Sequence, residues 1–111
     1  IDNHSTLSTQ TLPTLAATER LILDLLVEHG DLFGLAMVEA SRGRLKRGTV
    51  YVTLGRMQDK GYLDSRQEPL PPGATGLPRR LYTPTGRALQ VLAAWRAAER
   101  VMAGHLSTTE A

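Results

Sequence analysis

The chain has no cysteine among its 111 residues. That excludes disulfides, thiolate zinc sites and cysteine nucleophiles, and it fits a reducing compartment. Long apolar runs are also missing. The longest, 21–27, is interrupted by Asp24, and a bilayer span needs ~20 apolar residues. No basic stretch followed by an apolar one opens the chain, so the cytoplasm is expected rather than export or a membrane. The first residue is Ile1, not Met, which reads as a trimmed or tag-derived start. His4, His29 and His105 are scattered and none begins a metal-ligand spacing. His29 fits better as a dipole partner at a helix end. Gly43 and Gly48 lack the pattern of a phosphate-binding loop, and there is no Gly-x-Ser-x-Gly elbow. These absences point away from an enzyme and imply no cofactor and no metal.

What is present is enough for one folded domain: 41% of the residues are hydrophobic. The net charge of +2 conceals an asymmetry. Between Arg42 and Arg87 ten basic residues face three acidic ones, so that stretch carries +7 and the rest of the chain −5. A basic middle between acidic flanks is the footprint of a surface that meets a polyanion.

Periodicity divides the chain into elements. Residues 1–13 are polar and aperiodic and read as a mobile tail. A first helix is expected over 14–29, stopped by Gly30. Arg20, Asp24 and Glu28 form one polar stripe on it, and leucine, isoleucine and valine cover the rest. A helix so apolar must be covered on more than one side, which suggests a partner subunit. Asp31 is positioned to cap a second helix over 32–41 with Leu35 and Val38 facing the core, and Leu45 is a core anchor after the Gly43 turn. A third helix is expected over 47–60, ended by Gly61, with Val50, Leu54 and Met57 as a narrow buried stripe. Two short strands, 62–67 and 79–83, flank a loop rich in proline and glycine and make a hairpin with a long tip. Thr83-Pro84 reads as the start of a last helix reaching about Gly104. On that helix Ala88, Val91, Trp95, Ala98 and Met102 are spaced 3, 4, 3, 4, a short heptad-like seam.

This order gives a mainly α fold with a small β-hairpin: a winged helix-turn-helix over 14–84, a C-terminal dimerisation helix over 85–104, and a tail over 105–111. The seam and the first helix name Leu15, Ile22, Val91, Trp95, Ala98 and Met102 as the dimer interface. The third helix is the candidate recognition helix, whose N-terminal residues would reach base edges in the major groove. Arg47, Thr49 and Thr53 suit base contact, and Lys46 and Arg56 suit phosphates at either end. Arg66, Arg79 and Arg80 on the hairpin suit the backbone or the minor groove.

The motifs Gly48-Thr-Val-Tyr-Val-Thr-Leu54, Gly61-Tyr-Leu63 and Arg79-Arg-Leu-Tyr-Thr-Pro-Thr-Gly-Arg87 resemble the signature of PadR-type transcriptional regulators. So does the link from Val27-Glu-His-Gly30 to Phe33-Gly-Leu35, and the likeness runs from about Leu15 to Met102. The length resembles the short subfamily with a single C-terminal helix. The resemblance implies a homodimeric repressor on double-stranded DNA with a pseudo-palindromic operator, the C-terminal helix packing on the partner's first helix. By position Thr49 and Tyr51 match the family's recognition-helix residues, Tyr51 touching a phosphate or supporting the helix, and Arg80 matches the basic wing position. The chain departs from the family in four places: Lys46-Arg47 stand where Ser-Pro is usual, Leu35 and Val52 replace the common Tyr and Pro, and the wing loop is longer. Some relatives stack planar ligands on a tryptophan of the last helix, which makes Trp95 a candidate contact for a small hydrophobic effector. Two other functions fit the same residues: a winged-helix module whose basic face meets an acidic protein, and a small-molecule-binding dimer with DNA binding secondary.

Overall fold

The computed structural model describes residues 12–110, with side chains through 104. The tail expected over 1–13 lies outside them except for its last two residues. In chain order the elements are α1 (Ala17–His29), β1 (Leu32–Phe33), α2 (Gly34–Ala40), α3 (Arg47–Asp59), β2 (Leu63–Glu68), β3 (Arg79–Pro84) and α4 (Gly86–Glu110). The three strands form one antiparallel sheet in the order β1–β3–β2. Helices with a small sheet and a hairpin in this order are the expected winged-helix class.

The inner face of α3 forms as its spacing requires. Val50, Leu54 and Met57 are all fully buried, and Leu45 anchors the connection before them at 1% exposure. Side chains of this size contribute roughly 1.5–3 kcal/mol each on full burial. The helix ends in a Schellman motif: Gly61 N–H donates to Gln58 O at 3.0 Å and Tyr62 N–H to Met57 O at 2.8 Å. That geometry needs the left-handed φ of +78° at Gly61, which a side chain would strain.

The second helix differs from expectation. It starts two residues later, because Leu32 and Phe33 pair with Tyr82 and Leu81 as an edge strand. The phase shifts with the start: Gly34 and Met37 point inward, and Leu35 is 44% exposed rather than in the core. Asp31 precedes the strand and caps nothing. Ser41, just past the helix, is fully buried; its hydroxyl donates to Val38 O at 2.8 Å and accepts from Leu45 N–H at 2.9 Å.

The last helix also begins later. Strand β3 runs through Pro84, and Thr85 rather than Thr83 is the cap. Its Oγ1 accepts the Ala88 amide at 3.1 Å and donates to Gly61 O at 2.7 Å, while its own amide donates to Tyr62 O at 3.0 Å. The helix continues through Glu110, across the stretch expected as a tail.

The first helix is covered mostly from within. Ile22, Leu23, Leu25 and Leu26 join one core with Met37, Leu54, Tyr82 and Leu92. Of the residues expected at a dimer interface, Ile22 is fully buried and Val91 is 6% exposed, so both belong to the subunit's own core. Leu15 and Trp95 pack against that core, whereas Met102 is 60% exposed. The physical reason is that the seam's first half, Ala88 and Val91 with Leu92 beside them, lies on α1 and the sheet.

One buried charge was not anticipated. Helix α1 starts at Ala17, later than expected, and Glu19 at its third position reaches back to the Ala16 amide at 3.0 Å. Glu19 is 1% exposed and pairs with Lys60 Nζ at 2.8 Å. Burial pushes its carboxyl pKa up, but the bonds from Lys60 and Ala16 and the nearby charges of Lys60 and Arg56 outweigh that and hold it below the ordinary value. A folded value below the unfolded one adds stability above the carboxylate range and loses it as pH falls through the depressed value. Glu19→Gln should therefore lower neutral-pH stability by about 1–3 kcal/mol, the cost of weakening a buried charged hydrogen bond, and flatten the acid limb of the stability profile. Thermal melts from pH 7 to pH 3 check this; parallel acid limbs in the two proteins would refute it.

Candidate nucleic-acid interface

The buried stripe fixes the rotation of α3, and everything opposite it faces solvent. Lys46, Arg47, Thr49, Tyr51, Val52 and Arg56 are all exposed. Thr53 is not: it is 5% exposed, and its hydroxyl donates to the Thr49 carbonyl at 3.0 Å. The expectation that Thr53 reads a base is therefore corrected. A hydroxyl can hide against the helix's own backbone one turn back, which hydropathy does not reveal. Thr49 stays on the surface, its hydroxyl donating to Lys46 O at 3.2 Å. Lys46 occupies the N-cap without a side-chain capping bond.

Tyr51 lies one turn beyond Arg47 and is 51% exposed. Its ring is held against the backbone of Gly34: a Cβ there would come within 2.7 Å of Tyr51 Cε1. Glycine at 34 thus lets the start of α2 and the side of α3 approach closely. Beyond the ring is a hollow of about 520 Å³, walled by Gly34, Leu35, Tyr51, Tyr82, Arg80 and Leu77 from the wing loop. With Phe33 on its rim, three of the chain's five aromatic residues meet there. Burial pushes the Tyr82 phenol pKa up, against the opposing charge of Arg80.

The wing arginines leave the sheet from different faces. Side chains alternate along a strand, so Arg80 and Tyr82 take one face of β3, and Arg79 and Leu81 the other. Arg80 donates to Ser65 Oγ at 2.9 Å, and that oxygen also accepts from Gln58 of α3 at 3.0 Å. The pair of bonds ties the wing to α3 through residues that sequence reasoning passed over. Arg79 stacks on the Phe33 ring at 4.4 Å, and Arg66 reaches Asp31 at 3.5 Å. Of the expected site residues, Arg47, Tyr51 and Arg80 come together around one hollow and its neighbouring turn, with Lys46, Thr49 and Arg56 on the same helix. Arg66 and Arg79 leave the sheet from its other face, but Arg79 on the Phe33 ring still borders the same hollow, so of the wing arginines only Arg66, paired with Asp31, stands apart.

Two further regions lie outside this surface. Trp95 is partly buried and its indole N–H donates to Pro13 O at 2.7 Å. Along α4 the side chains of Leu89, Ala93, Ala97 and Val101, four apart, are all exposed. Beside them Val27 is 46% exposed. Among the described residues no three His, Cys, Asp or Glu side chains come together as metal ligands, and no helix is long and apolar enough to cross a membrane.

The family model of PadR-like transcriptional regulators matches residues 22–93. The fold is similar to that of a PadR family transcription regulator from Clostridium difficile R20291, at 28% identity and a TM-score of 0.61, over 82% of this chain and 99% of that one. It is also similar to a PadR family transcriptional regulator from Eggerthella lenta DSM 2243, at 22% identity and a TM-score of 0.64, over 97% and 92% of the two chains. A PadR-like transcription factor from Bacteroides fragilis superposes at a TM-score of 0.65 with 17% identity, over 98% of this chain and 99% of that one. No curated protein sequence matches the chain.

The contact at Gly34 is open to a direct test. In Gly34→Ala the new methyl displaces the Tyr51 ring, whose free end can swing into solvent, so the cost should be about 1 kcal/mol, the low end for overpacking. Thermal melts read the cost, and the Tyr51 ring resonances read the displacement. Unmoved ring resonances would show that Tyr51 does not rest on this glycine.

Proposed function

Because this chain belongs to the PadR-like family of transcriptional regulators, we propose that it is a homodimeric DNA-binding repressor that sets α3 in the major groove and the β2–β3 wing on the backbone. The observation that carries this reading is the convergence of Arg47, Tyr51 and Arg80 on one surface. Arg47 and Tyr51 are one helical turn apart, and Tyr51 and Arg80 wall the same hollow. In the proposal Arg47 is bidentate to a guanine edge and Thr49 offers a hydroxyl to a neighbouring base. Lys46 and Arg56 neutralise phosphates at the two ends of the helix, and Tyr51 and Arg80 hold the backbone between helix and wing. Arg79, at the rim of that hollow on the Phe33 ring, adds positive charge beside Arg80, while Arg66, paired with Asp31, serves the wing's own structure or a flanking minor groove.

The proposed DNA-binding part spans 14–84, and the helix that follows it forms the dimer. The contact is the exposed row Leu89, Ala93, Ala97 and Val101 rather than the seam through Val91. It leads to a hollow of about 320 Å³ between Val27, Leu89 and Ala93 that a partner's helix can fill. Two alanines in the row allow close helix approach, and Arg96 and Arg100 border it. A two-fold dimer matches half-sites about 34–36 Å apart on a pseudo-palindromic operator. This role is non-catalytic, requires no cofactor and is exercised in the cytoplasm. An effector is optional: the one candidate, Trp95, already has an internal hydrogen-bond partner.

Binding-site selection from random oligonucleotides should return a two-fold symmetric consensus. Against that site Arg47→Ala should cost about 1–3 kcal/mol and relax preference at one base pair, whereas Arg80→Ala should weaken all sequences alike and reduce the salt slope by about 1. Leu89→Glu with Val101→Glu should give a monomer by light scattering. A wild-type protein that fails to retard any duplex at low salt would exclude the repressor and favour the acidic-protein partner.

A further inference from the structure

We infer that Pro13 and Thr14, in the segment leading into α1, act as a tie that sets the direction of α4 relative to the recognition helix, with Lys60, Tyr62 and Trp95 as its positioning residues. The inference rests on the dimeric DNA-binding reading above, because direction matters only if α4 joins two copies.

Helix α4 is pinned at its start. Thr85 bonds through both its amide and its hydroxyl to the backbone of Tyr62 and Gly61, immediately after α3. A rod pinned at one end can still pivot. The second point of attachment is Trp95, whose indole donates to the Pro13 carbonyl at 2.7 Å. At 1.5 Å per residue the two points are about 15 Å apart along the helix.

The next carbonyl carries the other half of the link. Thr14 O accepts from Lys60 Nζ and from the Tyr62 hydroxyl, each at 3.3 Å. Lys60 is the C-cap of α3. Its ammonium is itself fixed by buried Glu19 at 2.8 Å and lies 4.8 Å from the centre of the Tyr62 ring. Two adjacent carbonyls therefore take hydrogen bonds from the end of the recognition helix and from the middle of α4. Other connections run through α1: Ala88, Val91 and Leu92 share its core, and two ion pairs, Arg20–Glu99 at 2.7 Å and Arg96–Asp24 at 2.6 Å, lie further along. Those pairs are solvent-facing and weaken with salt; the indole and phenol bonds are neutral and do not.

The leverage is large. A helix of 25 residues is about 37 Å long, so a tilt of only ~5° about its start moves the far end by about 3 Å. That is close to one base-pair step of about 3.4 Å. Loosening the tie should therefore blur the spacing between half-sites while leaving the reading of each half-site intact.

The test uses the full chain and its selected operator in versions with the central spacer lengthened or shortened by one base pair. Wild type should prefer one spacer. Trp95→Phe, which keeps an aromatic ring but loses the donor, and Tyr62→Phe, which loses only the phenol donor, should each reduce that preference about fivefold, as for one lost hydrogen bond. A purely structural role would weaken all spacers equally, and an unchanged preference ratio in folded variants would overturn the inference. Trp95 is the only tryptophan, so its emission gives a second readout that needs no DNA. Tyr62→Phe should shift that emission to the red through the adjacent carbonyls; an unshifted spectrum would break the proposed link. Failure of the wild type to bind any duplex would instead defeat the regulator reading, and the fluorescence result would still judge the tie.

Discussion

The burial of one narrow stripe on α3 governs the rest of the molecule. Val50, Leu54 and Met57 are wholly enclosed, and they lock the rotation of the helix about its own axis. Once that rotation is fixed, Arg47, Tyr51 and Arg56 have no choice but to face outward. The stripe is narrow because the opposite side has no packing to do, and Thr53 helps by satisfying its hydroxyl within the helix. A wider apolar face would have buried the side chains that the proposed reading of DNA requires.

Charge follows the same division of labour. The acidic residues of the flanks mostly meet cations of the chain itself: Glu19 with Lys60, Asp24 with Arg20 and Arg96, Glu99 with Arg20, and Asp31 with Arg66. Among the described residues Lys46, Arg47 and Arg56 form no ion pair. The asymmetry of +7 against −5 is thus more than a matter of composition. Acids are used up as internal counter-ions, chiefly on α1 and α4, and the cations on the outer face of α3 are among those left without one. An isolated cation on a surface costs little in water and gains counter-ion release when it meets a phosphate.

How far the sequence discloses this depends on how many residues share a signal. Periods repeated over several turns are legible: the α3 stripe, its glycine stop and the hairpin around the proline-rich loop all stand where their spacing puts them. Features carried by two residues are not. Leu32–Phe33 is too short a strand to alternate, and missing it misplaced the start of α2 and the role of Leu35. Thr83 and Thr85 are equally good caps on paper, and only the sheet register, with Leu63 opposite Pro84, decides between them. Ile22 and Val91 are apolar at interface-like spacing, but spacing cannot tell whether the covering surface comes from the same chain or another. Glu19 lies beside the polar stripe of α1, and nothing local distinguishes a buried carboxylate from an exposed one when its partner is 41 residues away.

That last limitation also explains the architecture around α1. The helix is apolar over most of its surface because it supports four neighbours at once: α2 and the sheet, α4, and α3, the last also through the Glu19–Lys60 pair. A buried pair of this kind is a poor source of net stability, since desolvation offsets most of its Coulombic gain. It is a good source of position, because an unpaired charge left in the core would be costly and few arrangements avoid it. Helix α3 can be rotated correctly by its apolar stripe, yet apolar contacts alone permit sliding along the axis. The ammonium of Lys60, held by Glu19 at the C-terminal end, removes that freedom. Stripe and ion pair together define where Arg47 and Tyr51 stand, one fixing the angle and the other the height.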